Sequence, residues 1–267
     1  MNFKTENLRV TLVQTDLHWE LPEANRSMLE EKIWQHYTET DVIVLPEMFT
    51  TGFTMNVKQL AEPMNLTTLK WLRQTSSQTN ALIIGSYIVK EDNQYFNRLI
   101  AMHPEGHYQY YDKRHLFRMA NENNTFSSGN ERLIINYRGW NICPLICYDL
   151  RFPAWSRNSN IQYDLLLFSA NWPETRINAW KILTQARAIE NSCYVIGVNR
   201  IGLDNNQTSY SGNSCAIDFK GNVICDLEDK SILVTTTLEK LALEKYRESF
   251  PVHLDADNFT INKGERS

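Results

Sequence analysis

The chain has 267 residues, 42% of them apolar, and its 27 basic and 31 acidic side chains give a net charge of −4. A chain of this length can bury a large core, and its charge, with no strongly basic segment, argues against nucleic acid or an anionic membrane surface as a partner. Its apolar runs are far shorter than the roughly 20 residues of a membrane-spanning helix, and residues 1–7 contain no apolar stretch typical of a signal peptide. We therefore expect a cytoplasmic protein.

The first third of the chain alternates strand and helix patterns. The predicted strands cover Leu8–Gln14, residues 42–45 and residues 81–89. The first predicted helix begins at Pro22 and repeats apolar residues at four-residue steps, and a second helix surrounds a similar apolar group. These apolar positions are Leu29, Ile33 and Tyr37 in the first helix, and Leu66, Leu69 and Leu72 in the second.

Hairpins and a further helix are predicted in the rest of the chain. The predicted pairs are residues 96–102 with 108–111, residues 132–136 with 141–146, and residues 214–218 with Val223–Asp226. Strands at 163–169 and 194–198 enclose a helix with one apolar stripe. The stripe consists of Ala179, Ile182, Leu183, Ala186, Ile189 and Cys193.

The predicted strands and helices follow one another along the chain without an interrupting segment. No linker, repeat or low-complexity segment divides the chain, so we expect one domain over residues 1–267. Residues from about 241 to 267 are polar with scattered aromatics, and we expect them to form a C-terminal tail laid over the body or over a partner. The strand and helix patterns together predict an α/β fold, in which a mixed sheet system is covered by helices. Such folds place their chemistry at the carboxyl ends of strands.

The five cysteines are an odd number at irregular spacings. This pattern indicates neither a disulfide framework nor a zinc site, so we expect no bound metal. Most of these side chains are expected to be small buried groups, which leaves room for one working thiol. The five are Cys143, Cys147, Cys193, Cys215 and Cys225.

Three reactive side chains each come just after a predicted strand. They are Glu47, Lys113 and Cys147, which follow the strands predicted at 42–45, 108–111 and 141–146. At a common sheet edge, the ammonium favours the thiolate and stabilises a developing oxyanion, while the carboxylate takes the thiol proton and later deprotonates water. This combination predicts acyl transfer through a thioester.

The motifs around these residues resemble the Glu, Lys and Cys motifs of the nitrilase, or carbon–nitrogen hydrolase, superfamily. They read Leu45-Pro-Glu47, Asp112-Lys113-Arg-His-Leu116 and Cys147-Tyr-Asp-Leu-Arg-Phe-Pro153. Segments 169–173, 180–191 and 198–202 are similar to family segments in the same order, so the resemblance covers nearly the whole chain. Three further motifs are most similar to the bacterial ω-amidase branch: Phe49-Thr-Thr-Gly-Phe53, His115-Leu-Phe-Arg-Met119 and Asn171-Trp-Pro173.

The resemblance implies a four-layer α-β-β-α sandwich and a cysteine hydrolase that needs no cofactor. It implies that Glu47 is the general base, that Lys113 stabilises the tetrahedral intermediate and that Cys147 is the nucleophile. The backbone N–H of Tyr148 is expected to share the oxyanion with Lys113. Family members commonly have a second glutamate near the site, and Glu122 is the candidate here.

The resemblance also implies a small-molecule amide substrate. ω-Amidases hydrolyse the terminal amide of short dicarboxylate monoamides such as 2-oxoglutaramate, and the far carboxylate of such a substrate needs a local cation. Arg176 is the first candidate for this cation and Arg118 is the second. Phe117, Tyr148 and Trp172 are expected to form the pocket wall.

Two alternatives remain open. Another carbon–nitrogen hydrolase, such as an amidase for deaminated glutathione, a carbamoylase or a nitrilase, shares the three reactive residues and differs in its pocket. A non-catalytic binding protein on the same fold is the more distant alternative.

Two further expectations concern a single arginine and the oligomeric state. Arg151 is expected to be structural and paired with an acid. A homodimer is expected to bury the helix around Ile182, Ala186 and Ile189 and the tail around Tyr246 and Phe250.

Overall fold

The structure, a computed structural model, describes residues 7–36 and 38–261. Some sequence-based predictions therefore lie outside the described residues: the lack of a signal peptide over residues 1–6, the apolar position Tyr37, and residues 262–267 of the tail. Among the described residues, no helix is both long and apolar enough to cross a membrane.

The strands and helices of the described residues are numbered in chain order. The strands are β1 (Leu8–Gln14), β2 (Val42–Val44), β3 (Glu62–Pro63), β4 (Leu82–Glu91), β5 (Gln94–Met102), β6 (Tyr108–Asp112), β7 (Ile135–Tyr137), β8 (Trp140–Ile146), β9 (Leu165–Ala170), β10 (Tyr194–Asn199), β11 (Ile201–Leu203), β12 (Ser209–Ser211), β13 (Cys215–Ile217), β14 (Val223–Asp226) and β15 (Ile232–Leu238). The helices are α1 (Pro22–Gln35), α2 (Val57–Leu60), α3 (Thr67–Thr79), α4 (Pro153–Ser156), α5 (Ile177–Asn191) and α6 (Lys240–Ser249).

Two mixed sheets form the centre of the molecule. The first has the strand order β15-β1-β2-β4-β5-β6, with β3 also paired to β4, and the second has the order β14-β13-β10-β9-β8-β7. The inner strands β1, β2 and β4 are parallel, as are β8, β9 and β10, and the short β3 is parallel to β4. The other pairs of these two sheets are antiparallel. Within each sheet, the carboxyl ends of the parallel strands therefore lie at one edge.

The sheets pack face to face and carry helices on their outer faces. Val10 and Leu12 of β1 belong to a core between the sheets that also contains Phe168 of β9. Val13 of β1 points the other way, into a second core that contains Leu69 of α3. This alternation is what a strand buried on both faces requires. With α1 and α3 on one side and α5 and α6 on the other, the predicted α-β-β-α sandwich is confirmed.

Helix α5 packs on the second sheet through a face that only partly overlaps the predicted one. Trp180 lies so close to Gly197 of β10 that a Cβ at position 197 would come within 2.6 Å of the indole ring. The predicted stripe is only partly buried. Ile182 and Ile189 are 55% and 52% exposed, so the prediction is wrong at these two positions. Ala179 and Leu183 do pack against the core, and Cys193 is buried just beyond the helix. The buried residues of α5 are Trp180, Thr184, Arg187, Ala188 and Asn191.

The buried face of α5 escaped prediction because it contains polar side chains that find partners. Arg187 donates through Nε and Nη2 to the carbonyl oxygen of Leu150, at 3.1 and 2.7 Å. The hydroxyl of Thr184 donates to the carbonyl oxygen of Trp180 at 2.9 Å. Because buried polar groups with hydrogen-bond partners are tolerated, hydrophobicity alone does not mark this face.

The C-terminal region adds a strand and a helix that the sequence patterns did not predict. β15 pairs antiparallel with the whole of β1, and its three consecutive threonines obscure the apolar alternation. Helix α6 lies at the start of the predicted tail, with Leu243 and Arg247 buried. Nη1 of Arg247 donates to Asp164 at 2.8 Å, which ties the helix to the second sheet. Residues 240–249 thus lie over the body, which is one of the two expected placements of the tail, and they form a helix that was not predicted.

Smaller differences concern element ends and hairpins. Helix α3 begins at Thr67, so Leu66 precedes it and is exposed. The strand predicted at residues 132–136 is β7, Ile135–Tyr137. Two hairpins, β4 with β5 and β11 with β12, are additional to those predicted. Helix starts and short hairpins depend on tertiary contacts, which periodicity does not report.

Candidate active site

The three reactive residues predicted from the sequence converge on one buried site. Glu47 and Lys113 follow β2 and β6 of the first sheet, and Cys147 follows β8 of the second. Glu47 and Lys113 are almost completely buried, and Cys147 is 8% exposed. The site therefore lies between two sheets, rather than along the edge of a single sheet as the sequence analysis expected.

Glu47 is held by donors from three parts of the chain. Its Oε1 accepts from Lys113 Nζ at 2.8 Å and from Asn97 Nδ2 at 2.8 Å. Its Oε2 accepts from the backbone N–H of Asn171 at 2.9 Å. A carboxylate that accepts and returns a proton needs such a fixed position. The sequence analysis missed Asn97, which lies within β5, and it assigned no role to Asn171, although that residue begins the Asn-Trp-Pro motif.

Glu122, the predicted second glutamate, lies against Lys113. Both of its carboxylate oxygens are 3.0 Å from Lys113 Nζ, and Oε2 also accepts from the backbone N–H of Phe117 at 2.6 Å. The residue is fully buried in the short 3-10 turn Glu122–Asn124. Burial raises the pKa of Glu122, Lys113 opposes this rise, and the neighbouring Glu47 adds to it.

Lys113 is a buried ammonium between two carboxylates. Burial alone would lower the pKa of Lys113, but Glu122 and Glu47 outweigh burial and hold the pKa above its usual range. Nζ also lies 5.2 Å from the centre of the Phe53 ring. The lysine therefore keeps its charge in a site shielded from water, where it can stabilise an oxyanion.

Cys147 begins a sharp turn at the end of β8. Its φ of 43° is in the left-handed region, and its Sγ lies 3.7 Å from the carbonyl oxygen of Asn171. Burial raises the pKa of the Cys147 thiol well above its usual value, Glu47 adds to this rise, and Lys113 opposes it. The resting site thus holds a thiol, because burial and the charge of Glu47 together outweigh the charge of Lys113. The thiolate-favouring effect expected of Lys113 does not prevail in the resting site, so the proton has to leave as sulfur attacks.

A cavity of about 680 Å³ opens onto Cys147 and Lys113. The predicted wall residues Phe117, Tyr148 and Trp172 all line it, and the Phe117 and Tyr148 rings meet edge to face with centres 5.1 Å apart. A cavity with aromatic walls and a few polar groups is typical of a small-molecule site. Lining residues that the sequence analysis did not place in the site include Trp19, Phe53, Arg151, Asn171 and Tyr210.

Two arginines of the cavity wall have aromatic partners. Cζ of Arg151 lies 4.9 Å from the centre of the Trp172 ring, and Cζ of Arg176 lies 5.5 Å from the centre of the Phe117 ring. The expectation that Arg151 pairs with an acid is wrong, because within the described part of the chain no carboxylate lies at ion-pair distance from it. Arg118, the second candidate for carboxylate binding, is exposed and does not line the cavity.

One group of side chains outside this site has metal-ligating chemistry. His103, Glu105 and His107 lie at the turn between β5 and β6, with one ligand atom of each within 4.8 Å of the others. The two imidazole rings stack with centres 4.0 Å apart and 17° between their planes. Nitrogen lone pairs lie in the ring plane, so stacked rings do not direct both lone pairs at one ion. This group is therefore not arranged as a metal site.

Comparison with known proteins agrees with the arrangement of Glu47, Lys113 and Cys147 between the sheets. The sequence model of the family described as carbon-nitrogen hydrolase matches residues 9–248. The chain belongs to the carbon–nitrogen hydrolase family. The superfamily predicted from the three motifs is confirmed, and with it the prediction that the chain is an enzyme.

This carbon–nitrogen hydrolase is similar to its relatives over nearly their whole length. It is 43% identical to "Omega-amidase YafV" of Escherichia coli (strain K12) over 255 residues, which cover 95% of this chain and 98% of that protein. It is 32% identical to "2-oxoglutaramate amidase" of Bacillus subtilis (strain 168), over 92% of this chain and 96% of that protein. The predicted resemblance to the ω-amidase branch is thus confirmed.

A solved structure gives the same fold. The CN-hydrolase superfamily protein XC1258 from Xanthomonas campestris superposes on this hydrolase with a TM-score of 0.94 and is 42% identical, over 96% of this chain and 100% of that chain. That protein carries an arsenic adduct in its active site. Nit3 of Saccharomyces cerevisiae, a nitrilase superfamily member, shares the fold at a TM-score of 0.84 and 20% identity, over 92% of this chain and 95% of that chain.

Proposed function

We propose that the protein hydrolyses the terminal amide of short dicarboxylate monoamides such as 2-oxoglutaramate, releasing ammonia and the dicarboxylate through a thioester on Cys147. The observation that carries this proposal is the layout of the cavity, which presents Cys147 and Lys113 together with Arg151 and Arg176. The first two residues suit the amide, and the arginines suit the far carboxylate. The relatives named as omega-amidase and 2-oxoglutaramate amidase support the same substrate class.

In the first half of the proposed reaction, Cys147 Sγ attacks the amide carbon. Glu47 takes the thiol proton as the carbon–sulfur bond forms, because the resting group is a thiol. Lys113 Nζ and the backbone N–H of Tyr148 stabilise the oxyanion. When the tetrahedral intermediate collapses, the carbon–nitrogen bond breaks and Glu47 gives its proton to the leaving nitrogen. Ammonia departs, and the acyl group remains on sulfur.

In the second half, water replaces ammonia beside Glu47. The carboxylate takes a proton from water while the hydroxide oxygen bonds to the thioester carbon. Collapse of the second tetrahedral intermediate breaks the carbon–sulfur bond, and the proton on Glu47 returns to Cys147. The same carboxylate acts in both halves, and the hydrogen bonds from Asn97 and Asn171 fit that use by holding it in one place.

Glu122 has a positioning and electrostatic role in this proposal. Its two oxygens hold Lys113 Nζ from one side while Glu47 holds it from the other. With both carboxylates in place, the ammonium stays charged and its direction is fixed. A preorganised charge of this kind stabilises the oxyanion without rearrangement at the moment of reaction.

The far carboxylate of the substrate is bound by Arg151 and Arg176 in this proposal. Arg176 is the candidate from the sequence, and Arg151 is added because it lines the same cavity four residues after the proposed nucleophile. Cζ of Arg151 lies over the Trp172 ring and Cζ of Arg176 lies over the Phe117 ring, so both guanidinium groups have an aromatic neighbour at the cavity wall. A guanidinium group carries five N–H donors, which suits it to bind a carboxylate. Binding this remote group orients the amide and so contributes to turnover as well as to affinity.

The test is ammonia release from 2-oxoglutaramate, succinamate, glutamine and a simple nitrile, with Cys147→Ala as the control for non-enzymatic release. We expect the first two to be substrates. Glutamine should be poor, because its α-ammonium would lie where an oxo group is expected and remain unpaired. A nitrile or glutamine hydrolysed as fast as 2-oxoglutaramate would favour another carbon–nitrogen hydrolase. No ammonia from any of the four compounds would favour a non-catalytic binding protein.

We also propose that the protein is a single-domain, cytoplasmic homodimer. The five cysteines are free thiols, which fits a reducing compartment. Exposed apolar side chains on α5 and after α6 support the dimer face expected from the sequence, namely Ile182, Ile189 and Phe250. Light scattering should give the mass of two chains at micromolar concentration, and Ile182→Glu should shift it towards one. The mass of one chain for the unmodified protein would contradict the dimer.

A further inference from the structure

A buried carboxylate that the proposed reaction does not use lies behind the active site. Asp149 is fully buried, two residues after Cys147. Its Oδ2 accepts a hydrogen bond from the backbone N–H of Ile146 at 3.0 Å. Because Ile146 directly precedes Cys147, this bond closes the turn in which Cys147 adopts its left-handed φ. The carboxylate therefore holds the backbone around the proposed nucleophile.

The same carboxylate holds the segment around Lys113. Its Oδ1 accepts from the backbone N–H of His115 at 3.0 Å and from ring Nδ1 of His115 at 2.7 Å. Its Oδ2 accepts from the hydroxyl of Tyr111 at 2.8 Å. Tyr111 and His115 lie two residues before and two residues after Lys113. Asp149 is thus bonded to the chain on both sides of Lys113, and it closes the turn that contains Cys147.

Both side-chain partners of Asp149 are fixed by further contacts. The His115 ring stacks on Phe152, with ring centres 3.7 Å apart and 5° between the planes. The Tyr111 hydroxyl accepts from Trp155 Nε1 at 3.0 Å. Burial raises the pKa of Tyr111 well above its usual value, so the hydroxyl keeps the proton that it donates. Asp149 therefore joins two segments that are each rigid.

We propose that Asp149 and His115 form a positioning pair that sets the placement of Cys147 Sγ relative to Lys113 Nζ. Lys113 follows the first sheet and Cys147 follows the second, so the hydrogen bonds within either sheet do not fix their separation. The pair supplies a direct backbone link between the two segments that carry Lys113 and Cys147, in addition to the bond from Asn171 to Glu47. A displacement of about 1 Å at the reacting atoms can lower turnover roughly a hundredfold. This catalytic consequence rests on the amidase function proposed above.

Two substitutions at His115 separate the hydrogen bond from the packing of the ring. His115→Asn keeps an N–H donor near the position of Nδ1 and removes the ring, whereas His115→Phe keeps a ring on Phe152 and removes the donor. We expect His115→Asn to keep kcat within about fivefold of the wild type and His115→Phe to lose roughly 10- to 100-fold. KM should change by less than about threefold in both, because the carboxylate-binding arginines are untouched. If His115→Phe keeps as much kcat as His115→Asn, the inference is overturned.

A second pair of variants controls for lost stability. Asp164 is also a buried aspartate with several donors, among them Arg247 Nη1 at 2.8 Å and the backbone N–H of Asn141 at 2.9 Å, but it ties α6 to the start of β8. We expect Asp149→Asn and Asp164→Asn to lower the free energy of unfolding by similar amounts. Only Asp149→Asn should lower kcat, by more than about 30-fold. A folded Asp149→Asn with wild-type kcat overturns the inference, and if this variant does not fold, the His115 variants decide.

Alkylation of Cys147 by iodoacetamide separates this inference from the choice of substrate. Alkylation displaces iodide at the methylene carbon of the reagent, so it needs the thiol and its neighbours but no hydrolysis of an amide bond. If no amide of the panel is hydrolysed, the proposed function fails and the alkylation rate takes the place of kcat. His115→Phe is then expected to react at least about fivefold more slowly than His115→Asn. Equal rates would overturn the positioning pair as well.

Discussion

The inner end and the wall of the cavity are built in different ways. At the inner end, Lys113 lines the cavity, and the buried Glu47 and Glu122 are joined to its Nζ by hydrogen bonds of 2.8 to 3.0 Å. On the wall, Arg151 and Arg176 are only partly buried and lie over aromatic rings. Under the proposed function, this difference means that charge and hydrogen bonding preorganise the reacting groups, whereas two arginines without an anionic partner among the described residues bind the substrate. Substitutions at the inner end and on the wall should therefore have different kinetic effects.

The largest effect is expected from the inner end, at Cys147. Cys147→Ala removes the nucleophile with a small change in volume, so turnover should fall below about 1% of the wild type while the fold is kept. Ammonia release and the free energy of unfolding measure the two quantities. Cys215→Ala is the matched control, because Cys215 is equally buried but lies in β13 beside Thr184. Activity above that level in Cys147→Ala, or its loss in Cys215→Ala, would contradict the assignment.

The next effect is expected at Lys113. Lys113→Ala and Lys113→Arg should both lower kcat about a hundredfold or more, because a guanidinium fork does not replace a compact ammonium held between Glu47 and Glu122. Steady-state ammonia release gives kcat for both variants. Lys113→Arg with more than about a tenth of the wild-type kcat would show that the inner end tolerates a different cation geometry.

A smaller effect is expected from the cavity wall. Arg151→Ala or Arg176→Ala should lower kcat/KM for 2-oxoglutaramate by about 1.5 to 3 kcal/mol, the cost of a lost charge-assisted hydrogen bond. Arg118→Ala is the control, because this arginine is exposed outside the cavity. Equal losses in all three variants would mean that overall charge, rather than binding in the cavity, controls the rate.

The smallest effect concerns pH. Because burial raises the pKa of the Cys147 thiol well above its usual value, its thiolate forms only at a higher pH than that of an exposed thiol. The rate of Cys147 alkylation by iodoacetamide, followed by mass spectrometry, should show no titration midpoint between about pH 7 and 9.5, where the exposed cysteine of a model peptide does titrate. A midpoint in that range would indicate a thiol with an ordinary pKa and an inner end less shielded than the structure shows.

The sequence was most informative for residues that lie in a recognisable motif directly after a predicted strand. Glu47, Lys113 and Cys147 each follow an apolar strand in a recognisable motif, and the structure brings them together. Their partners were harder to predict, because contacts across the two sheets determine them. Asn97 lies within β5 like any strand residue, yet it reaches Glu47 from 50 positions away.

Arg151 and the C-terminal elements show the same limit. Arg151 follows Cys147 closely enough to suggest a structural role, and only the shape of the cavity shows that it faces the site of the proposed reaction. The threonines of β15 and the polar residues on the buried face of α5 are satisfied by neighbours that hydrophobic periodicity does not report. Sequence patterns therefore predicted a mixed sheet system covered by helices and the reacting residues, and the family resemblance added the four layers. Both missed features that depend on packing.

The most direct test of the proposed division between reacting groups at the inner end and arginines on the wall compares a charged substrate with a neutral one. kcat/KM should be measured for 2-oxoglutaramate and for an uncharged amide of the same length, in the wild type and in the Arg151→Ala/Arg176→Ala double variant. We predict that the wild type prefers the charged amide by about a hundredfold and that the double variant loses this preference through the charged substrate alone. Equal hydrolysis of the two amides by the wild type would contradict the proposal that the arginines bind the substrate carboxylate.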